Sequence, residues 1–90
     1  MTEPKYQEFV WIDTRSDKTT GIIYLRFGKS LDDPMPFVLT VTPSYVAQKM
    51  QTTRRLRMIE VHNYCNENRE ALRKIAFNCK QHGKNAEVLE

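Results

Sequence analysis

Glycine is scarce in this sequence, with three residues in a chain of 90. So few glycines exclude the glycine-rich loop that cradles phosphate groups, and neither a nucleophile elbow nor a zinc-protease motif is present. Gly21, Gly28 and Gly83 instead fit turns or the end of a helix. We therefore expect a protein that is not an enzyme and that uses no cofactor.

Cysteine and long apolar runs are also rare. Two cysteines are too few for a disulfide scaffold and favour a reducing compartment. No apolar run is long enough to cross a membrane. The first residues lack the basic stretch followed by an apolar one that marks a signal peptide. The expectation is a small soluble domain in the cytoplasm with no membrane partner.

What is present is an ordinary globular composition, with 40% hydrophobic and 28% charged residues. A chain of this length builds one core, so residues 1–90 are expected to form a single domain with flexible tails at 1–6 and 84–90. The net charge of +3 permits binding to nucleic acid or to an acidic partner without requiring it.

Three segments of the first half have the composition of β-strands. They span residues 7–13, 21–28 and 37–42. In the third segment, Phe37, Leu39 and Val41 alternate with Val38 and Thr40, which places the two sets on opposite faces of a sheet. Short polar connections rich in turn residues favour an antiparallel meander.

The second half has the pattern of helices. Thr42 is suited to cap a short helix from Pro43 to Met50. Beyond it, spacings of three and four residues predict one face of a single helix from Arg54 to His82. That stripe consists of Met58, Val61, Cys65, Asn68, Leu72, Ile75, Cys79 and His82.

The predicted helix is long for its sheet. It would extend for about 40 Å, whereas strands of six or so residues span only about 20 Å, so part of it must overhang, bend or pack on something else. A less favoured alternative has a fourth strand from Arg57 to Tyr64, with Asn66 capping a shorter helix. Residues 86–89 form either a short final strand or a tail. The predicted fold is α+β: a three-stranded antiparallel meander followed by a short helix and a long amphipathic C-terminal helix packed on the sheet.

Aromatic residues of the first two strands suggest a partner surface. We place Val10 and Ile12 towards the helix. The outer face of the sheet then carries Phe9, Trp11, Tyr24 and Arg26. An exposed patch of this kind binds a protein partner or stacks single-stranded bases. The opposing interpretation is that the long helix or the tail covers this face as ordinary core.

A group of basic residues surrounds the start of the predicted long helix. Its members are Lys49, Arg54, Arg55 and Arg57. Cations at a helix start can hold phosphate groups, although a solvated helix face explains such runs more often.

Histidine and cysteine occur in two pairs, His62 with Cys65 and Cys79 with His82. Two cysteines and two histidines are a known zinc ligand set. On a continuous helix, however, the two thiols lie about 21 Å apart, so the four side chains would meet only between two antiparallel chains. We therefore expect no metal and expect both thiols to act as small hydrophobic groups.

The leading functional hypothesis is a small non-enzymatic interaction module that forms a homo-oligomer or binds another protein. The alternative is a nucleic-acid-binding protein that uses the basic helix start. The two differ in salt dependence, because phosphate contacts weaken steeply with salt and an apolar interface does not.

Overall fold

The computed structural model of the protein describes residues 5–90, which contain four strands and three α-helices. In chain order they are β1 (Val10–Ser16), β2 (Ile23–Gly28), β3 (Phe37–Val41), α1 (Pro43–Lys49), α2 (Met58–Glu67), α3 (Arg69–Gln81) and β4 (Ala86–Leu89). A short 3₁₀ turn, Tyr6–Glu8, precedes β1. Over this described range, every helix is too short or too polar to cross a membrane.

The sheet has the strand order β1–β2–β3–β4. The first three strands are antiparallel to one another, and β4 is parallel to β3. The predicted α+β fold with an antiparallel meander is confirmed. Of the two forms predicted for residues 86–89, the structure has the short final strand, because they pair with β3 along their whole length. Most of the predicted N-terminal tail, residues 1–4, lies outside the described residues.

Alternating side chains in β2 and β3 build one wall of the core. Their inward-facing residues are all at most 1% exposed: Ile23, Leu25, Phe27, Phe37, Leu39 and Val41. The residues between them, Tyr24, Arg26, Val38 and Thr40, are half-buried and lie on the other side of the sheet. The facing predicted for the third strand is confirmed, and the helices complete the core with Val46, Val61, Cys65, Leu72 and Ala76.

The first strand starts later than predicted and contains a β-bulge at Ile12. Phe9 is 1% exposed, and its ring stacks on Phe27 with 5.5 Å between centroids. Trp11 packs on the same ring at 5.3 Å. The prediction that Phe9 and Trp11 face away from the helices is therefore wrong. Four consecutive apolar residues offer no alternation that decides the facing, and here the aromatic rings fill the core.

The Thr42 side chain connects three elements. Its Oγ1 accepts a hydrogen bond from the Tyr45 N–H at 3.2 Å, which confirms the predicted cap of α1. The same hydroxyl donates to the Leu89 carbonyl of β4 at 2.9 Å. The end of β3, the start of α1 and the end of β4 are thereby held together.

The predicted continuous helix over residues 54–82 is wrong, because the chain forms two helices separated by Asn68. This residue has φ −120° and ψ 33°, outside the α-helical region. Its Nδ2 donates to the Tyr64 carbonyl at 2.8 Å, which satisfies an acceptor in the last turn of α2. The alternative strand at 57–64 is also wrong, since Met58–Glu67 is helical.

The break at Asn68 resolves the mismatch between helix length and sheet length. Val61 and Cys65 of α2 and Leu72 and Ala76 of α3 are all at most 1% exposed, so both helices place their apolar stripe on the same core. Both helices contact the sheet, whereas one straight helix of this length would overhang it.

Arg73 on α3 holds the N-terminal 3₁₀ turn in place. Its Nη1 donates to the carbonyls of Tyr6 and Phe9, both at 2.7 Å. Its Nε and Nη2 donate to Glu70 at 3.1 and 3.0 Å. The hydrogen bonds from Arg73 to Glu70, together with one from the Tyr6 hydroxyl, lower the pKa of Glu70 to about 2. The turn fixed in this way directs Phe9 into the core.

Candidate functional site

One face of the sheet has no helix packed on it. The buried side chains of all three helices belong to a single core with the inward-facing strand residues, so within residues 5–90 the helices lie on one side. The other side, which we call the open face, presents two rows of side chains that cross all four strands. One row is Arg15, Tyr24, Thr40 and Val88, and the other is Asp13, Arg26, Val38 and Ala86.

The β1 side of the open face is charged. Arg26 Nε donates to Asp13 Oδ1 at 2.9 Å, and Arg15 Nε lies 4.0 Å from Asp13 Oδ2. One carboxylate between two guanidinium groups leaves an excess of one positive charge. Because all three side chains retain contact with water, they remain able to pair with charges on a second molecule.

The β3–β4 side of the open face is aliphatic. Val38 is half-buried, Val88 is 52% exposed and Ala86 is exposed. Val38 is paired with Ala86 across the strands, and Val88 lies in the neighbouring row. The open face therefore combines an apolar half with a charged half.

Two of the four residues predicted for a partner surface lie on the open face, namely Tyr24 and Arg26. Phe9 and Trp11 lie on the opposite side of the sheet. The Trp11 ring is covered by the Arg69 guanidinium, 4.5 Å from its centroid. The open face therefore contains Val38 and Val88, and it does not contain Phe9 or Trp11.

The four basic residues predicted to hold phosphate differ in what they already contact. Arg54 Nη1 donates to Glu60 Oε1 at 3.0 Å, and Nη2 binds the second carboxylate oxygen. Lys49 Nζ lies over the Tyr45 ring, 5.4 Å from its centroid. Arg55 and Arg57 are exposed and form neither an ion pair nor a cation–π contact within residues 5–90.

A cleft at one end of the sheet adds a third cation to these two arginines. We call it the cationic cleft. It has a volume of about 320 Å³ and is lined by Lys18 of the β1–β2 loop together with Arg55 and Arg57. A neighbouring cleft of about 490 Å³ shares Thr20 and Arg55 with it. No carboxylate-bearing residue lines the cationic cleft among the described residues.

The two cysteines lie on different helices and have different surroundings. Cys65 on α2 is 1% exposed, and burial raises its pKa to about 11. Cys79 on α3 is half-buried, and burial raises its pKa as well. His62 is half-buried, and exposed His82 places Nδ1 2.7 Å from the Asn78 carbonyl. Over residues 5–90, no three histidine, cysteine or acidic side chains group in a way that could hold a metal ion.

Sequence reasoning missed several members of these surfaces, among them Lys18 and Val88. Lys18 lies in a loop far along the chain from Arg55, and only the fold brings it close. Val88 belongs to four residues whose sequence fits a strand or a tail equally well. The alternation of Val38 with buried neighbours was the one sequence signal that identified an aliphatic residue of the open face.

Comparison with known proteins gives no relative from which a function could be carried over. No protein-family model, no curated protein and no solved structure matches the chain.

Proposed function

We propose that the protein is a small interaction module that associates with a second copy of itself through the open face. The observation that supports this proposal is the pair of side-chain rows on a sheet face without helices, aliphatic at one side and charged with both signs at the other. Packing two such faces together would remove Val38 and Val88 from water.

A two-fold axis that runs across the strands suits this face. Such an axis places the Arg15 row of each subunit opposite the Asp13 row of its partner. Asp13 then faces the partner's Arg15, and Arg26 faces the ring of the partner's Tyr24, an arrangement favourable for a cation–π contact. An axis along the strands would instead lay the charged half over the aliphatic half, which leaves charges buried without partners.

The small size of the face indicates a weak interface. Four strands of about five residues cover roughly 19 by 17 Å at ordinary strand spacing and rise. Because side chains protrude from the sheet, two such faces bury more than their flat area, on the order of 900 Å² of accessible surface. This area is at the small end for specific interfaces. We therefore expect a reversible dimer with a dissociation constant in the micromolar range.

The test replaces Val88 on the open face by lysine. Its matched control is Ile59→Lys on α2, because Ile59 is an aliphatic residue of similar exposure, 56% against 52%, and lies away from the face. Sedimentation equilibrium at high micromolar concentration should show dimers for the parent and for Ile59→Lys, and monomers for Val88→Lys. Far-UV circular dichroism verifies that both variants are folded.

Two outcomes would contradict the proposal. One is a parent protein that has the mass of a single chain at high micromolar concentration. The other is an equal loss of dimer in both variants, which would place the interface on the helices or make it a general effect of added charge.

A further inference from the structure

The cationic cleft brings three basic side chains together. It is lined by Lys18, Arg55 and Arg57 and, among the described residues, by no acidic side chain. Lys18, Arg55 and Arg57 form no ion pair within residues 5–90, whereas Arg15, Arg26, Arg54, Arg73 and Lys84 each pair with a carboxylate. The three cations of the cleft are therefore free of internal carboxylate partners among the described residues and can pair with an anionic ligand.

The backbone orders the two arginines. Leu56 between them is 5% exposed and anchors the segment in the core. Arg57 is extended, with φ −83° and ψ 158°, and its N–H donates to Glu60 Oε1 at 3.0 Å. Because the Leu56 side chain is buried, its two neighbours Arg55 and Arg57 lie outside the core, and both are exposed. Arg55 and Arg57 accordingly line the same cleft.

Glu60 lies close to the cleft but does not pair with its cations. It binds the Arg54 guanidinium through both carboxylate oxygens, so its own charge is neutralised by a cation that does not line the cationic cleft. The nearby carboxylate therefore supports the Arg57 backbone without pairing with the Arg55 or Arg57 side chains.

We infer that the cationic cleft binds the phosphodiester backbone of a nucleic acid. Guanidinium groups match phosphate oxygens in a bidentate geometry, and the Thr19 and Thr20 hydroxyls beside them supply further hydrogen-bond donors. Three exposed cations that line one cleft suit a polyanion, which can offer several phosphate groups to them. No aromatic ring lines the cleft within the described residues, so it offers phosphate contacts without a surface that would stack a base.

The experiment compares two triple variants that remove the same net charge. In the first, Lys18, Arg55 and Arg57 are replaced by glutamine. In the matched control, Lys29, Lys49 and Lys74, which do not line the cationic cleft, are replaced by glutamine. Fluorescence anisotropy measures binding of a labelled single-stranded oligonucleotide and of its duplex between about 50 and 200 mM salt.

Three phosphate contacts predict a slope of roughly −2 for log K against log salt on a single strand. The cleft variant should bind at least about tenfold more weakly than the parent and lose most of that slope, while the control should retain both. Dependence of either the single-stranded or the duplex probe on the three cations supports the inference. An equal loss in both triple variants, or no binding of either probe by the parent at low salt, overturns it.

Discussion

Cys65 and Cys79 share one stripe of the sequence, yet the fold gives them different surroundings. Cys65 lies between Val61 and Leu72 in the closed core, and Cys79 lies where α3 approaches the edge of the sheet. A thiolate is the reactive form of cysteine, and burial disfavours that charged form. Core packing therefore makes Cys65 the less reactive of the two.

The pH dependence of stability follows from the Cys65 thiol. Its pKa rises from 9.0 to about 11 on folding, so between these values the unfolded chain releases a proton that the folded chain keeps. The free energy of unfolding should then fall as the pH rises through this range. Denaturant unfolding at pH 8 and at pH 10.5 should show a smaller fall for Cys65→Ala than for the parent. The control Cys79→Ala should retain most of the fall, and equal slopes in all three proteins would contradict this assignment.

The facing of individual residues could be predicted from the sequence only where polar and apolar residues alternate. Phe37 to Val41 alternate, and their facing is as predicted. Phe9 to Ile12 are all apolar, so the choice between the two faces depended on neighbours distant in sequence, the rings of Phe27 and Phe77. A β-bulge within β1 then changed the register again.

The two ends of helix α2 are electrostatically different. Glu60 lies in the first turn, accepts from the Arg57 N–H and pairs with Arg54. Glu67 lies in the last turn, where the negative end of the helix dipole disfavours a carboxylate. Glu60 therefore stabilises the start of α2, whereas Glu67 also lies beside the positive end of the α3 dipole, which offsets the effect of α2 on it.

Replacing each carboxylate by an amide should show this difference. The Arg54 hydrogen bond, followed by that from the Arg57 N–H, lowers the pKa of Glu60 from 4.5 to about 2. A depressed pKa stabilises the folded state above 4.5, and the benefit is lost as the pH falls towards 2. Glu60→Gln should therefore melt below the parent at pH 7, with the difference gone at pH 2. Glu67→Gln should melt at or above the parent at pH 7, and a similar decrease in both variants would refute this account.

For residues 54–82, the sequence predicted which side chains are buried, but it did not predict the break between α2 and α3. The stripe containing Val61, Cys65 and Leu72 is buried as predicted. Spacings of three and four residues are the same for one helix and for two helices that meet at Asn68, because the stripe continues across the break. Residues 86–89 could not be assigned to β4 from four residues alone, since their pairing depends on a free edge of β3.

At the scale of the whole molecule, the open face and the cationic cleft use different parts of the fold. The open face lies on the side of the sheet without helices, and the cleft lies at its end, between the β1–β2 loop and the start of α2. The sequence identified Arg55, Arg57, Tyr24 and Arg26 as surface groups. It did not identify Lys18, because a cleft forms between segments that only the fold brings together.

Self-association predicts a melting temperature that depends on protein concentration. A dimer of folded chains gains stability by mass action as the concentration rises. For a domain of this size, each kcal/mol shifts the melting temperature by about 4–8 °C, so raising the concentration a hundredfold from the low micromolar range should raise it by several degrees. Val88→Lys should melt at one temperature throughout. An identical melting temperature for the parent at both concentrations would count against the dimer.

The parallel pairing of β3 with β4 also has a consequence for the order in which the fold forms. The hairpins of the meander close short loops, whereas β4 reaches β3 only after the chain has passed through all three helices. Contacts between residues distant in sequence form slowly, because the entropy of closing the long loop is lost before the pairing compensates for it. We therefore expect Val88 to join the open face last, so that the self-association proposed above would follow the slowest folding step.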